Sequence, residues 1–412
     1  MQTNVIDRQI RDLAITACGD RQIGGFLKRL GKIEKAEEHL LGAAGESLGG
    51  VRSGLSSAEK LDQLLTFFQA SLPAEKAFRA ALDIGDIFTV HGELARAAEL
   101  YTYVFEQAGA GEHRRLRAEA CLRRGDVYGR QNRWKDSFAD LNQSRRIFRE
   151  LRDQVAVARA DNILGTNYAE QGKVKQARTF LERALRTFER NGNTVEAASL
   201  LVNLGALHNI VAEYDEAVAY YQRARSSFEQ VGDVARLGAL HHNMGMTFLA
   251  TSAYPQALKE FEHSFLLGSR GEHADLMGLA SLGKANVYFR LGDLRAALKL
   301  VNQSLDLFRA CGDRLSMADG YKVKGMIHRE MKKYDFARSY MQTSLRINSE
   351  LDNRLNTAET YVEIGLLEER RGNTAEAITA LERARAFFRR VGAEHEFVRA
   401  GEELQRVRTN AS

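Results

Sequence analysis

One short pattern recurs along this chain at a fixed interval, and it constrains the fold more than any other feature. A small residue opens the pattern in each interval and is followed three positions later, in most intervals, by an aromatic or other large residue. The small residues occupy eight evenly spaced positions without insertion or deletion: Gly85, Gly125, Gly165, Gly205, Gly245, Ala285, Gly325 and Gly365. A constant period of forty residues indicates that the chain stacks copies of one supersecondary unit.

Within each interval the spacing of small and large residues predicts two helices. A second small residue follows the first by 12 positions, and a large residue lies four positions further on, as in Ala217 and Tyr221. Spacings of three, four and seven residues place side chains on one face of a helix. Glycines such as Gly92 and Gly172 mark the turn between the helices, where left-handed backbone costs glycine little. We therefore predict antiparallel helix pairs that approach closely at the small residues.

This order of small, aromatic, small, large and small residues resembles the tetratricopeptide repeat in a version longer than the usual one of about 34 residues. Repeats as long as those of this chain are found in kinesin light chains, in Pins-type spindle-orientation adaptors and in bacterial regulators. HEAT and armadillo repeats share the period, but they need a different signature and usually more proline, whereas this chain has 2 prolines. The resemblance implies an all-α, right-handed superhelical solenoid of antiparallel helix pairs.

The regular array is predicted to cover residues 76–395 as eight repeats. Residues 1–75 are predicted to contain a divergent repeat at 16–50, a loop rich in glycine and serine, and an extra packing helix over Ala58–Leu72. Residues 396–412 are predicted to form a capping helix and a short tail, because the last repeat of a solenoid has no neighbour to cover its apolar face.

Composition excludes several classes of partner. The 59 basic and 54 acidic side chains leave a net charge of +5, too weak and too dispersed to indicate nucleic acid. No window approaches the roughly 20 apolar residues that span a bilayer, so no membrane partner is expected. The 3 cysteines are far apart and favour a reducing compartment. A cytoplasmic location is therefore predicted, with a mitochondrial or chloroplast address left open.

The chain shows no arrangement of residues typical of catalysis, so we predict that it is not an enzyme and needs no cofactor or metal. The segment from Gly278 to Lys284 matches the first part of a phosphate-binding P-loop. However, Ala285 follows it in place of the hydroxyl residue that would hold magnesium, and the segment lies inside a predicted helix. The adjacent His241 and His242 point in different directions on a helix and cannot easily chelate one ion.

The resemblance implies that the first helices of successive repeats line a concave groove. The groove positions lie three and two residues before the small signature residue, and one, four and five residues after it. They give this set of predicted partner-binding residues: Asn162, Asn203, Asn209, His242, Asn243, Asn286, Arg290, Lys322 and Arg329. Asn203 and Asn243 lie one period apart, and such a ladder can hydrogen-bond an extended peptide backbone. The alternative is that these residues are solvated polar groups on an exposed face.

Function follows from the groove. We predict a scaffold or adaptor that binds a peptide or protein segment, and Arg290, Lys322 and Arg329 favour a partner with an acidic stretch. The alternative is a peptide-sensing regulatory module. Because residues 1–75 show neither a DNA-binding nor a nucleotide-binding domain, such a module would act on a separate effector protein. The sequence does not indicate the oligomeric state.

Overall fold

The computed structural model describes residues 9–10, 12–14, 16–17, 57–109, 111–351, 353–391 and 393–411. Within these ranges the regular secondary structure is helical throughout and contains no strand. The predicted all-α solenoid of helix pairs is confirmed. Apart from residues 16–17, the divergent repeat predicted at 16–50 lies outside the described ranges.

From residue 57 onward, eighteen helices are described, and most of them are 17 or 18 residues long. They are α1 Ser57–Ser71, α2 Ala74–Val90, α3 Leu94–Gln107, α4 Arg114–Arg130, α5 Trp134–Glu150, α6 Gln154–Glu170, α7 Val174–Arg190, α8 Thr194–Ile210, α9 Tyr214–Val231, α10 Val234–Ala250, α11 Tyr254–Arg270, α12 Ala274–Arg290, α13 Leu294–Cys311, α14 Arg314–Glu330, α15 Tyr334–Glu350, α16 Arg354–Arg370, α17 Thr374–Val391 and α18 Glu394–Ala411.

The chain divides into two compact blocks, Met1–Arg124 and Gly125–Ser412. From α5 to α17 each helix packs against the next helix in the chain. The first helices of repeats three to eight (α6, α8, α10, α12, α14 and α16) also pack against one another in series. Their partners α7, α9, α11, α13, α15 and α17 lie behind them. This continuous layer of first helices positions the predicted groove residues.

The signature glycines are the points at which the two helices of a repeat touch. A Cβ atom on Gly205 would lie 2.5 Å from the ring of Tyr221, and one on Gly245 would lie 2.6 Å from the ring of Phe261. The same relation, at the same sequence offset, joins Gly85 to Tyr101, Gly125 to Leu141, Gly165 to Leu181, Gly325 to Met341 and Gly365 to Leu381. The predicted packing role of the small residues is confirmed.

Turns between helices require a left-handed residue, but not always glycine. Gly172 ends the first helix of repeat three with φ +70°, and the corresponding residue of repeat five is Ser252 with φ +60°. Left-handed backbone costs a residue with a Cβ roughly 1–2 kcal/mol. In repeat five the Ala253 amide donates to the Phe248 carbonyl at 2.8 Å, which holds the turn closed.

The segments that flank the regular array are also helical where they are described. Helix α1 covers the segment for which an extra packing helix is predicted. Helix α18 buries Leu404 and Val407 in an apolar cluster with Ala377 and Leu381 of α17. Among the described helices, none has both the length and the apolar character that a membrane crossing requires.

Candidate binding groove

Two groove asparagines hydrogen-bond to each other across a repeat boundary. The side-chain amide of Asn203 on α8 donates to the Oδ1 atom of Asn162 on α6 at 2.8 Å, and both side chains are half-buried. Asn243 lies one period beyond Asn203 on α10, and its side chain makes no hydrogen bond to a described residue. Of these three asparagines, Asn162 and Asn203 are hydrogen-bonded to each other, whereas the side-chain amide of Asn243 is available to a ligand.

Two further groove positions carry buried polar atoms that have no hydrogen-bond partner among the described residues. These atoms are Oδ1 of Asn209 on α8 and Nδ1 of His242 on α10. Burial lowers the pKa of His242 to about 4, so the ring is neutral near pH 7. Its ring centroid lies 5.5 Å from that of Phe261. Buried polar atoms are nearly always hydrogen-bonded, so two orphans on adjacent helices call for an explanation.

The cations predicted in repeats six and seven differ in how far they are already paired. Lys322 contacts Asp319 at 3.1 Å and also contacts Glu359. Burial acts to lower the pKa of Lys322, but the charges of Asp319 and Glu359 outweigh it and hold the pKa above its usual value. Lys322 is therefore firmly charged, and its charge is compensated by carboxylates within the array.

Arg329 and Arg290, the other two predicted groove cations, differ in whether a carboxylate pairs with them. Arg329 is buried, and its guanidinium contacts Glu363 at 2.7 Å. Arg290 is exposed at the end of α12 and pairs with no described residue. Asn286, on the same helix, donates its side-chain amide to the Leu282 carbonyl at 3.2 Å. Of the three cations, Arg290 alone has no partner among the described residues.

Carboxylates also occupy this face of the second block. Glu170, at a groove position in repeat three, is open to solvent yet lies among many protein atoms. The resulting loss of hydration raises the pKa of Glu170, and repulsion from Glu396 and Glu359 adds to the effect. The groove positions of repeat three therefore include a carboxylate as well as the amide of Asn162.

The P-loop-like segment is a packing feature. Gly278 and Gly283 both lie inside α12, where added Cβ atoms would come within 2.4 Å of the rings of Phe308 and Phe261. Lys284 pairs with Glu262 and lies over the Phe265 ring at 5.0 Å. The spacing of these glycines is therefore explained by aromatic residues of the second helices.

One cluster with possible ligand chemistry was not singled out from the sequence. His241 on α10 contacts Glu260 on α11 at 2.6 Å from Nδ1 to Oε2, and the rings of His241 and His263 meet edge to face at 5.1 Å. His242 packs on Phe261 instead, so the adjacent histidines do point apart. The spacing of Glu260 and His263, three residues apart on one helix, was the available signal.

The fold and the layer of first helices define a helical-repeat scaffold for binding other proteins. A family model described as tetratricopeptide repeat matches residues 116–190, 196–265, 238–310 and 316–390, which together are more than half of the chain. The chain belongs to the tetratricopeptide repeat family. No curated protein matches the sequence.

Solved structures with a similar fold include a Rap protein complexed with competence and sporulation factor. It is 13% identical with a TM-score of 0.54, and the match covers 81% of this chain and 98% of that one. Aspartyl phosphate phosphatase F from Bacillus subtilis is 13% identical with a TM-score of 0.49, over 88% of this chain and 96% of that one. At these sequence identities the similarity shows a shared fold only.

Proposed function

We propose that this chain binds an extended segment of a partner protein, or a free peptide, along the first helices of repeats three to five. The observation that supports this proposal most is the pair of orphaned buried atoms, Oδ1 of Asn209 and Nδ1 of His242, at groove positions of adjacent helices. A bound backbone would supply the missing partners. Asn162, Asn203 and Asn243 lie on the same layer of helices.

Asparagine suits this task because its side chain both donates and accepts, as does each peptide unit of an extended chain. Asn243 is open for such contacts, while Asn203 and Asn162 keep acceptor and donor capacity beyond the bond they share. Each net hydrogen bond contributes about 0.5–1.5 kcal/mol. Recognition of the backbone would hold a segment whatever its side chains are.

We extend the proposed site to Asn286, Arg290, Lys322 and Arg329, with an acidic stretch of the partner beside Arg290. Lys322 and Arg329 already contact Glu359 and Glu363, so an acidic ligand would have to displace those carboxylates. Charge reversal at Arg290 should therefore weaken binding more than reversal at the other two. Cys121 and Cys311 are not joined in a disulfide, which suits a reducing compartment, and we propose the cytoplasm as the setting.

The proposal is tested with a displayed library of random peptides selected on the wild-type chain. Selected peptides are then measured against an Asn203→Ala/Asn243→Ala double variant. Loss of two hydrogen bonds of about 1 kcal/mol each predicts roughly 30-fold weaker binding.

The matched control is Asn142→Ala/Asn302→Ala. It also removes two asparagines, but from exposed positions on the second helices α5 and α13. It should bind the selected peptides as the wild type does. Equal binding by the groove variant and the control would contradict groove recognition and would direct attention to the second helices or the ends of the array.

A second candidate is a peptide-sensing regulatory module that acts on a separate effector. It is supported by the shared fold of the Rap protein that was solved with competence and sporulation factor. The two candidates differ in whether peptide binding changes the affinity of the chain for a second protein. A scaffold captures its protein partner without peptide, whereas a sensor changes its affinity for a second protein when a selected peptide is added. Capture from lysate with and without that peptide separates them.

A further inference from the structure

Three potential metal ligands converge between the two helices of repeat five. The ligand atoms of His241, Glu260 and His263 all lie within 4.8 Å of one another. Side-chain exposure is only 9% for His241 and 14% for Glu260, and His263 is half-buried. Glu260 and His263 lie one turn apart on α11 and face His241 across the interface with α10.

The other repeats show that the fold does not require ionisable groups at the first two of these positions, those of His241 and Glu260. One period earlier the three positions hold Leu201, Tyr220 and Arg223, and the first two belong to an apolar core cluster. One period later Leu300 stands in place of Glu260 and packs in the apolar cluster of repeat six. Partly buried ionisable groups cost desolvation energy where an apolar set would pack. Repeat five therefore carries a set of residues that packing alone does not explain.

We propose that His241, Glu260 and His263 form a binding site for a divalent transition-metal cation of the zinc type. Two imidazoles and one carboxylate are a common ligand set for such ions, and they leave one coordination position for water or for a group of a partner. This inference goes beyond the proposed peptide groove and does not depend on it.

The geometry needs only a small adjustment. With metal–ligand bonds of about 2.0–2.1 Å, tetrahedral ligand atoms lie roughly 3.4 Å apart. The pair formed by His241 Nδ1 and Glu260 Oε2 would open from 2.6 Å, and the wider separations in the cluster, up to 4.8 Å, would close. Rotation of the half-buried His263 side chain supplies most of that freedom.

The contact between His241 Nδ1 and Glu260 Oε2 already brings two of the three ligand side chains together between α10 and α11. Lys259, next to Glu260 in the chain, is exposed, so solvent screens its repulsion of a bound cation.

The experiment titrates the full chain, stripped with a chelator, with Zn²⁺ alone by calorimetry, and with Co²⁺ to record the visible absorption of a tetrahedral site. One ion per chain is expected to bind with the spectrum of a nitrogen and oxygen site. His263→Gln should weaken Zn²⁺ binding at least 10-fold. That substitution installs the residue that repeat six carries naturally as Gln303, so the fold should tolerate it.

Glu260→Gln is a second, isosteric variant with the same expected loss. The matched control is His208→Leu, because His208 and Glu213 also approach to 2.6 Å but belong to no three-ligand group in the described residues. It should bind Zn²⁺ as the wild type does, and Zn²⁺ should raise the thermal midpoint of both proteins. The proposal is overturned if the wild type binds no Zn²⁺, if His263→Gln and Glu260→Gln bind it unchanged, or if His208→Leu loses it equally.

Discussion

Repeats three and five use the same three positions of the same helix pair in different ways. In repeat three the first and third positions hold Asp161 and Arg183, which meet at 2.6 Å. Arg145 of the preceding repeat contacts the same carboxylate at 2.7 Å, and the Asp161 side chain is only 2% exposed. In repeat five the positions hold His241, Glu260 and His263, with ligand atoms gathered in one place.

The difference lies in how completely each cluster compensates its own charge. Two guanidinium groups contact both oxygens of Asp161, so in repeat three the carboxylate is compensated by cations of the fold itself. Repeat five presents a carboxylate and two imidazoles, and an imidazole can offer a ring nitrogen to a metal. A carboxylate that is compensated by cations of the fold stabilises the repeat, whereas a carboxylate grouped with two imidazoles is suited to binding a cation.

The largest effect on stability is expected from breaking the cluster of Asp161, Arg145 and Arg183 in repeat three. Asp161→Asn leaves the partly buried Arg145 without its counter-charge and should lower the free energy of unfolding by about 3 kcal/mol. Urea unfolding followed by circular dichroism measures this change. The control Asp306→Asn removes an exposed ion pair with Arg309 and should change stability by less than about 0.5 kcal/mol. Equal effects would show that the Asp161 cluster has no special role.

A somewhat smaller effect, on the pH dependence of stability, is expected from replacing His242. The corresponding residue in repeat three is Asn162. The folded pKa of His242, about 4, lies below the ordinary 6.5, so the unfolded chain binds the proton more readily between those values. This contribution to stability is present above pH 6.5 and is lost as the pH falls towards 4, on the order of 3 kcal/mol at most. His242→Asn should therefore flatten the pH dependence of the urea midpoint between pH 7 and 4. An unchanged slope would exclude His242 as its source.

Replacing the polar cluster of repeat five by apolar residues should raise the free energy of unfolding, whereas breaking the cluster of repeat three should lower it. His241→Leu/Glu260→Tyr installs the apolar pair of repeat four and should stabilise the metal-free chain by about 1–2 kcal/mol. The single variant His241→Leu leaves Glu260 without its partner and should be less stable than the double variant. Urea midpoints in the presence of chelator decide the order, and a double variant weaker than the single one would contradict the comparison.

The smallest effects are expected at the turns of the same two repeats. Ser252→Gly relieves a left-handed residue and should stabilise by about 0.5–1 kcal/mol, less than the full conformational cost because glycine is freer in the unfolded chain. Gly172→Ser should destabilise by a similar amount. Thermal midpoints of the two exchanges should move in opposite directions, and a shift in the same direction would rule out backbone strain as the cause.

Much of the fold could be predicted from the sequence because the packing is periodic. The contact between each signature glycine and the large residue of the following helix, as between Gly205 and Tyr221, is already present in the spacing. The same periodicity correctly placed Gly278 and Gly283 inside a helix. In the signature contacts the partner belongs to the same repeat and lies at a constant offset.

The candidate sites were less predictable, because their partners do not follow a constant offset. Lys322 and Arg329 looked like free groove cations, but they contact Glu359 and Glu363 of the next repeat, residues that the groove positions gave no reason to pair with them. Asn203 pairs backward with Asn162 through an amide at a different groove position. The cluster of His241 was missed because its other members lie on the second helix, which the groove argument did not consider.

Phe261 illustrates a consequence of the repeat geometry for how such a chain can change in evolution. Its ring fits against Gly245 of its own repeat and against Gly283 of the next. Duplication or loss of one whole period would keep the spacing of the signature contact, of the kind made by Gly245 and Phe261, in every repeat, whereas a single inserted residue in a helix would rotate one partner away from the ring. The array can therefore grow or shrink by recombination of whole cassettes, each bringing its own groove residues. Small insertions and deletions would be selected against almost everywhere except in the turns.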